Sequence, residues 1–594
     1  MKDFVDSLIV SPYHRGDLWG NFKPHIIIGS YPPDLYTSRS KSGVALLERD
    51  RLEEAAIFHF NEDSGLILPL YPPDNSQCSQ GRRIQTQGID FGLVRNWIEQ
   101  CRREHPSCCS SRPSRETRPH YLLDCNTRTI VQDRGDMDYV ALSYLWGSSS
   151  ATFNTRVKHH VGESLGPLPQ TIEDAIIVTK HVNMRYLWVD RLCLPQDETT
   201  DFYNDLRSMA VLYESAELVI IAAAGDGADY GLPGVQARHR LEQCCIQIGG
   251  HDYIVFDTPL RLALEESRYI TRGWTYQEEV SSARRLYFTD HQVYFECRAS
   301  QSCEFVVNAD TLPRFMKGRR NDNPKADPTD IDTMNTAWRH IKAVSERALT
   351  YESDALNAVL GLLERPEAPD TTPRVRHLYG IPLPQDHVTE RFTEQLSWRV
   401  LGSRRRLHDF PSWSWAGWAG RGYMFEPSVS PPATGPTTSE VMLEDQTGRL
   451  TPLIDVSLMR GNDLLSVMPQ ILHITAQVCE FQWSGLRAAS KPDGVLVTMP
   501  GKDGESHASI VMSTNYDLDE LEHILQPPCK LLGLLPRAWS YSLYWECRML
   551  VVAAVRGGEN PVERVGTIFP RDIIMADIEN PKLWGWKRRT VRIR

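Results

Sequence analysis

The 594-residue chain contains no run of 18 or more apolar residues, which argues against a helical membrane span. Residues 1–20 lack a basic stretch followed by an apolar core, so no secretory signal is expected. Without one, the 13 cysteines read as reduced intracellular thiols and the expected address is cytoplasmic. Positive charge is in deficit. The 65 Lys+Arg against 76 Asp+Glu leave a net −11, the wrong sign for coating nucleic acid, and no nucleic-acid recognition motif is present. A Walker loop, HExxH and GxSxG are all absent. The apolar (41%) and charged (24%) fractions exclude a wholly disordered chain or a fibre, and the length allows about three to five domains. The 15 tryptophans are many for this length, and their positions are informative.

Five stretches are distinguished. In residues 1–100, an N-terminal accessory region, the runs Ile26-Ile27-Ile28 and Leu66-Ile67-Leu68 lead to Tyr31-Pro32-Pro33-Asp34 and Tyr71-Pro72-Pro73-Asp74, strands meeting proline-forced turns. Phe91, Val94, Trp97, Ile98 and Cys101 share one face of a helix predicted over 91–103, and 107–119 reads as an exposed linker. Within 101–310, apolar runs at 139–146, 186–190 and 218–224 predict strands. Between them, Ile172, Ala175, Ile176, Thr179 and Val182 recur at helical spacing behind a capping-box-like Thr171-x-x-Asp174. A second helix is predicted to carry Phe202, Leu206, Met209, Tyr213 and Ala216 behind Asp201. Strand, helix, strand, helix, strand predicts an open, parallel α/β sheet. A polar loop (311–330), a helical region (331–420, one helical stretch from about 332 to 363) and a β-rich region (421–594) follow.

Ligands of such sheets bind beyond the carboxyl ends of the strands. Ser143, Tyr144, Trp146 and Gly147 stand at the end of the first strand; Asp190, Cys193, Gln196 and Asp197 at the end of the second. The structural alternative makes Asp190 a turn cap and Cys193 a small core residue. Arg272, Trp274 and Glu278 gather a cation, an indole and a carboxylate, suited to an anionic aromatic ligand or to a helix start with a surface ion pair. Cys101-x3-His105-x2-Cys108-Cys109 has ligand-type residues, but a closed zinc site wants four ligands, usually as two separated pairs. Packed thiols at a helix end are the favoured reading, and no metal is expected. Gly225-x-Gly227 lacks the rest of a dinucleotide fingerprint.

Taken together, four blocks resemble the heterokaryon incompatibility (HET) domain of filamentous fungi, over about 139–297. They are Tyr139-Val140-Ala141-Leu142-Ser143-Tyr144-x-Trp146-Gly147, then Leu168-Pro169-x-Thr171-Ile172-x-Asp174-Ala175 through Tyr186-Leu187-Trp188-Val189-Asp190 to Asp197, then Gly231-Leu232-Pro233-Gly234, and Arg272-Gly273-Trp274-Thr275-x-Gln277-Glu278. Upstream Cys101-x3-His105-x2-Cys108 and downstream Pro411-Ser412-Trp413-Ser414-Trp415-Ala416-Gly417-Trp418 look like companions of that domain. Leu194-Pro195 departs from the usual pattern, and Pro195 stiffens that loop. The resemblance implies a cytoplasmic protein of nonself recognition that triggers cell death, with self-association and an incompatibility partner as its contacts. HET domains are in turn similar to TIR domains, whose flavodoxin-like sheet in some members cleaves NAD with a Trp-Cys-x-x-Glu segment. Trp274-Thr275-Tyr276-Gln277-Glu278 keeps that spacing with Thr for Cys. The implication is a flavodoxin/TIR-like core in which Glu278 is catalytic, Trp274 or Trp146 stacks on a ring, and Arg272 holds phosphate. NAD is then the substrate, and no cofactor is expected. The competing expectation is an assembly module without turnover.

Overall fold

The computed structural model describes residues 81–106, 118–147, 164–194, 209–248, 251–256, 258–307, 330–349, 351–363, 375–385 and 387–400. It also describes 405–419, 440–458 and shorter segments elsewhere, mostly strands. Among the described residues no helix is long and apolar enough to cross a membrane.

Among the described residues, eight strands make the central sheet: β1 (Tyr121–Asp124), β2 (Thr129–Gln132), β3 (Tyr139–Ser143), β4 (Tyr186–Trp188), β5 (Leu218–Ala222), β6 (Arg284–Phe288), β7 (Val293–Cys297) and β8 (Gln301–Cys303). Their order is β8-β7-β6-β5-β3-β4-β1-β2. The middle four run parallel, β6 to β5, β5 to β3 and β3 to β4. Every residue of β3 and β5 is buried, as layers on both faces of a parallel sheet require. Both edges are antiparallel, which corrects the expected parallel sheet to a mixed one. For β1–β2, β6–β7 and β7–β8 the reason is their short connections, since a crossover long enough for parallel pairing needs about a dozen residues; the β1–β4 pair joins distant segments.

Helix α1 (Phe91–Glu104) starts where Asp90 accepts a hydrogen bond from the Leu93 amide, and it buries Val94, Trp97, Ile98 and Cys101 against the sheet. A boundary at residue 100 would cut this helix. The strands at Ile26–Ile27, Ala56–Phe58 and Leu66–Pro69 pair in one sheet with His251–Phe256 and Cys245–Ile248, so the N-terminal strands are tied to the core region. The two proline turns and residues 107–117 lie outside the described residues.

Helix α2 (Gln170–His181) buries Ile172, Ala175, Ile176, Val178 and Thr179. The expected capping box does not form. Pro169 occupies the cap, while Thr171 Oγ1 accepts from the Gly231 amide at 3.1 Å and Asp174 Oδ2 from the Leu232 amide at 2.7 Å. Both side chains satisfy the backbone of the Gly231–Gly234 loop instead of their own helix. Among the described residues, helices α3 (Asp190–Cys193) and α4 (Met209–Ser215) follow, with Met209 and Tyr213 buried. Asp201, Phe202 and Leu206 lie outside the described residues. Helix α5 (Gly273–Ser281) precedes β6.

After the core, the predicted helical stretch is two helices, α6 (Asp330–Ser345) and α7 (Asn357–Leu363), with a 3-10 turn at Glu352–Ala355 between them. Residues 311–329 lie outside the described residues. Among the described residues, 440–593 contribute a nine-stranded antiparallel sheet. Trp398, Trp413, Trp415 and Trp418 are fully buried in the second core, which explains the tryptophan count there. Each indole N–H donates to a backbone carbonyl, of Trp413, Gln470, Gly380 and Ser412 respectively, at 2.8–3.2 Å, so the polar end of each large ring is satisfied inside the core.

Candidate functional site

The carboxyl ends of β3 and β4 and the start of α5 meet at one rim. Ser143 closes β3, Asp190 follows β4, and α5 brings Glu278 over both from the fourth motif block. The Ser143 hydroxyl donates to Glu278 Oε2 in a short hydrogen bond and lies 2.7 Å from the Tyr269 hydroxyl. Tyr213, whose hydroxyl donates to the Leu142 carbonyl at 3.1 Å, stands beside the same carboxyl. Glu278 is only 3% exposed. Burial pushes its carboxyl up to about 7, opposed by the Arg272 guanidinium and reinforced by Asp190. Asp190 is also buried and raised for the same reason, with Arg272, the Arg191 amide and the Trp146 indole pulling it back. Two adjacent carboxyls of raised pKa at the ligand edge of an α/β sheet have the character of a proton-handling or charge-stabilising site.

Trp146 forms the outer wall. Its Nε1 donates to Asp190 Oδ2 at 3.0 Å, and the guanidiniums of Arg191 and Arg272 each stand 5.0 Å from its ring centre. At 39% exposure it offers aromatic surface to solvent. Arg272 Nη1 donates to the Tyr144 carbonyl at 3.0 Å, tying the fourth block to the first. The Tyr144 hydroxyl and the Trp188 indole N–H are buried with no partner among the described residues. Orphaned buried donors of this kind call for a ligand or ordered water.

Gly147 (φ +76) brings the loop after β3 against the loop after β5, and a Cβ there would sit 2.9 Å from Gly227 Cα. The weak Gly225-x-Gly227 signal therefore reflects close backbone approach. Gly147→Ala combines strain and backbone overlap, and is expected to lower stability by about 1–3 kcal/mol. An unchanged thermal midpoint would remove the claim that the two loops are held in contact.

The expected residues do not all converge. Ser143, Tyr144, Trp146, Gly147, Asp190, Arg272 and Glu278 do. Cys193 is fully buried among core residues, its Sγ accepting from the Val189 amide at 3.4 Å, and burial pushes its thiol up to about 12. Trp274 turns the other way, packing between the two cores beside Asp354, to which it is hydrogen-bonded. Gln196 and Asp197 lie outside the described residues, as does Pro195. Thr275 Oγ1 lies 2.8 and 2.7 Å from the carbonyl oxygens of Tyr269 and Arg272, fixing the turn into α5. Tyr269 went unnoticed in the sequence, and Tyr213 had only a helical-face signal.

The second region grips α5 directly. The Gly273 amide donates to the Ala348 carbonyl at 2.8 Å, Arg347 Nη1 to Thr275 Oγ1 at 3.1 Å, and the Tyr276 hydroxyl lies 2.9 Å from His340 Nδ1. The helix bearing Glu278 is therefore held between the two cores.

Residues 139–278 match the family model described as heterokaryon incompatibility protein (HET). Over 121 residues the chain is 28% identical to heterokaryon incompatibility protein 6, OR allele, of Neurospora crassa, an alignment covering 19% of this chain and 17% of that relative. The chain thus spans less than a fifth of the length of the curated relative it matches. No solved structure matches.

Proposed function

We propose, from the premise that residues 139–278 are a HET domain, that this chain serves heterokaryon-incompatibility-type nonself recognition as a cytoplasmic cell-death effector. Within that role, Glu278 cleaves NAD at the bond between nicotinamide and ribose. The observation that carries this reading is the buried Glu278 carboxyl, set over Ser143 and next to Asp190 and Arg272, at the carboxyl rim of parallel strands. Taken in chain order, the parallel strands β3, β4, β5 and β6 lie 2-1-3-4 across the sheet, the order of flavodoxin-type folds. Folds of that order take ligands beside the first and third strands, and here the loops after those strands meet at Gly147 and Gly227.

In this chemistry the bond from ribose C1′ to the nicotinamide nitrogen breaks, and its electron pair leaves with nicotinamide. The Glu278 carboxylate faces the positive charge that develops on the ribose, as the carboxylates of glycosidases do. Water then adds at C1′ and releases a proton, giving ADP-ribose. Arg272 supplies charge for the pyrophosphate, and Trp146, the exposed indole, supplies a stacking face. The test is nicotinamide release by the purified full-length chain and by Glu278→Gln. Equal rates would eliminate Glu278 as the catalyst.

A second reading rests on the enclosure of Glu278 by Ser143, Tyr213 and Tyr269 and on the grip of the second region on α5. Here the domain signals by self-association or by contact with an incompatibility partner, without turnover. It predicts toxicity that survives Glu278→Gln in cells whose NAD level is unchanged.

A further inference from the structure

Away from that rim, α1 lies across the far edge of the sheet and places Cys101 and His105, one helical turn apart, beside Cys297 at the end of β7. We infer that Cys101 Sγ, a His105 ring nitrogen and Cys297 Sγ bind one zinc-type divalent cation that ties α1 to β7. In the sequence, Cys101 and His105 stand nearest to Cys108 and Cys109, which lie outside the described residues. The third ligand is instead 192 residues from His105.

Four observations converge on this reading. The ligand atoms of all three residues lie within 4.8 Å of one another, and His105 Nδ1 is 3.5 Å from Cys297 Sγ. A tetrahedral zinc with Zn–S bonds of about 2.3 Å and Zn–N bonds of about 2.0–2.1 Å needs ligand atoms roughly 3.5–3.8 Å apart, so only a small inward movement is required. Cys297 Sγ accepts backbone N–H bonds from Ala299 (3.4 Å) and Ser300 (3.3 Å), which fix the sulfur's position facing His105. Arg284 stands opposite Cys297 in the β6–β7 register, donates its Nε to Cys101 Sγ at 3.3 Å, and pairs with Glu217. A dication with two thiolates, beside this Arg–Glu pair, adds no net charge to a buried place. The site also lies at the C-terminal end of α1, where the helix dipole favours positive charge.

Three ligands from two distant segments make the ion a cross-link, so its loss loosens α1 from the sheet edge. The test is metal content of the full-length chain after dialysis against zinc and then metal-free buffer, together with titration by cobalt(II). About one equivalent of zinc is expected to remain, and cobalt is expected to give thiolate-to-metal charge transfer with tetrahedral visible bands. Cys101→Ser, Cys297→Ser and His105→Ala should each lower zinc retention by about tenfold or more, while Cys245→Ser, at an exposed cysteine, should retain it. If Cys101→Ser or Cys297→Ser fails to fold, His105→Ala and the cobalt spectrum of the unaltered chain still decide. Absence of a thiolate–cobalt band, or undiminished zinc in folded Cys297→Ser or His105→Ala, would overturn the site.

Discussion

Glu278→Gln is expected to lower nicotinamide release by about 10²–10³, the usual cost of removing one preorganised charge-stabilising group. The chain should stay folded, because glutamine has the shape of the protonated acid that the buried site favours. In the unaltered chain the rate should rise as pH passes through about 7, where the carboxyl ionises. Stability should move the opposite way. Burial raises the carboxyl from 4.5 to about 7, so between these values the folded chain holds a proton that the unfolded chain has released. The stability this group contributes is complete below about pH 4.5, falls as pH climbs to about 7, and levels off above. The span amounts to about 3 kcal/mol. Glutamine does not titrate, so the variant should gain on the unaltered chain by about that amount between pH 4.5 and about pH 8. Paired denaturant titrations across that range measure it, and parallel profiles would mean that Glu278 is not held in a dry site.

The second large effect concerns Arg285 and Glu296, directly opposite each other on β6 and β7. Both are buried; Arg285 Nε donates to Glu296 Oε2 at 3.1 Å, and the Tyr287 hydroxyl adds a bond at 3.0 Å. The same guanidinium donates to the carbonyls of Glu279 and Ser282, closing the C-terminal end of α5. Glu296→Ala strands a buried cation and is expected to cost about 3–5 kcal/mol. The double variant Arg285→Met with Glu296→Leu removes both charges and should recover part of the loss, the remainder reflecting the unpaired Glu279 and Ser282 carbonyls. A cycle of the two single variants and the double variant, followed by denaturant unfolding, reads the coupling. Additive losses would show that the pair is not isolated from water.

Much of the core was legible because its signals are local. The uninterrupted apolar runs of β3 and β5 are buried at every position, and the face of α1 is the one its periodicity gives. A capping box is a local pattern, and Thr171-x-x-Asp174 cannot reveal that a loop 58–60 residues away competes for the same oxygen atoms. The grouping of Ser143 with Asp190 and Glu278 was predictable from strand ends and motif order. The turning of Trp274 toward Asp354 was not, since it depends on the second core docking against α5.

The α/β class, the principal strands and the HET-type motifs are encoded locally, because hydrophobic period and turn chemistry act over a few residues. The antiparallel edges, the burial of Glu278 behind Ser143 and Tyr269, and the meeting of Cys101 and His105 with Cys297 arise from long-range packing. These depend on which distant segments become neighbours, and that is set by sheet order and strand register acting on the whole chain at once.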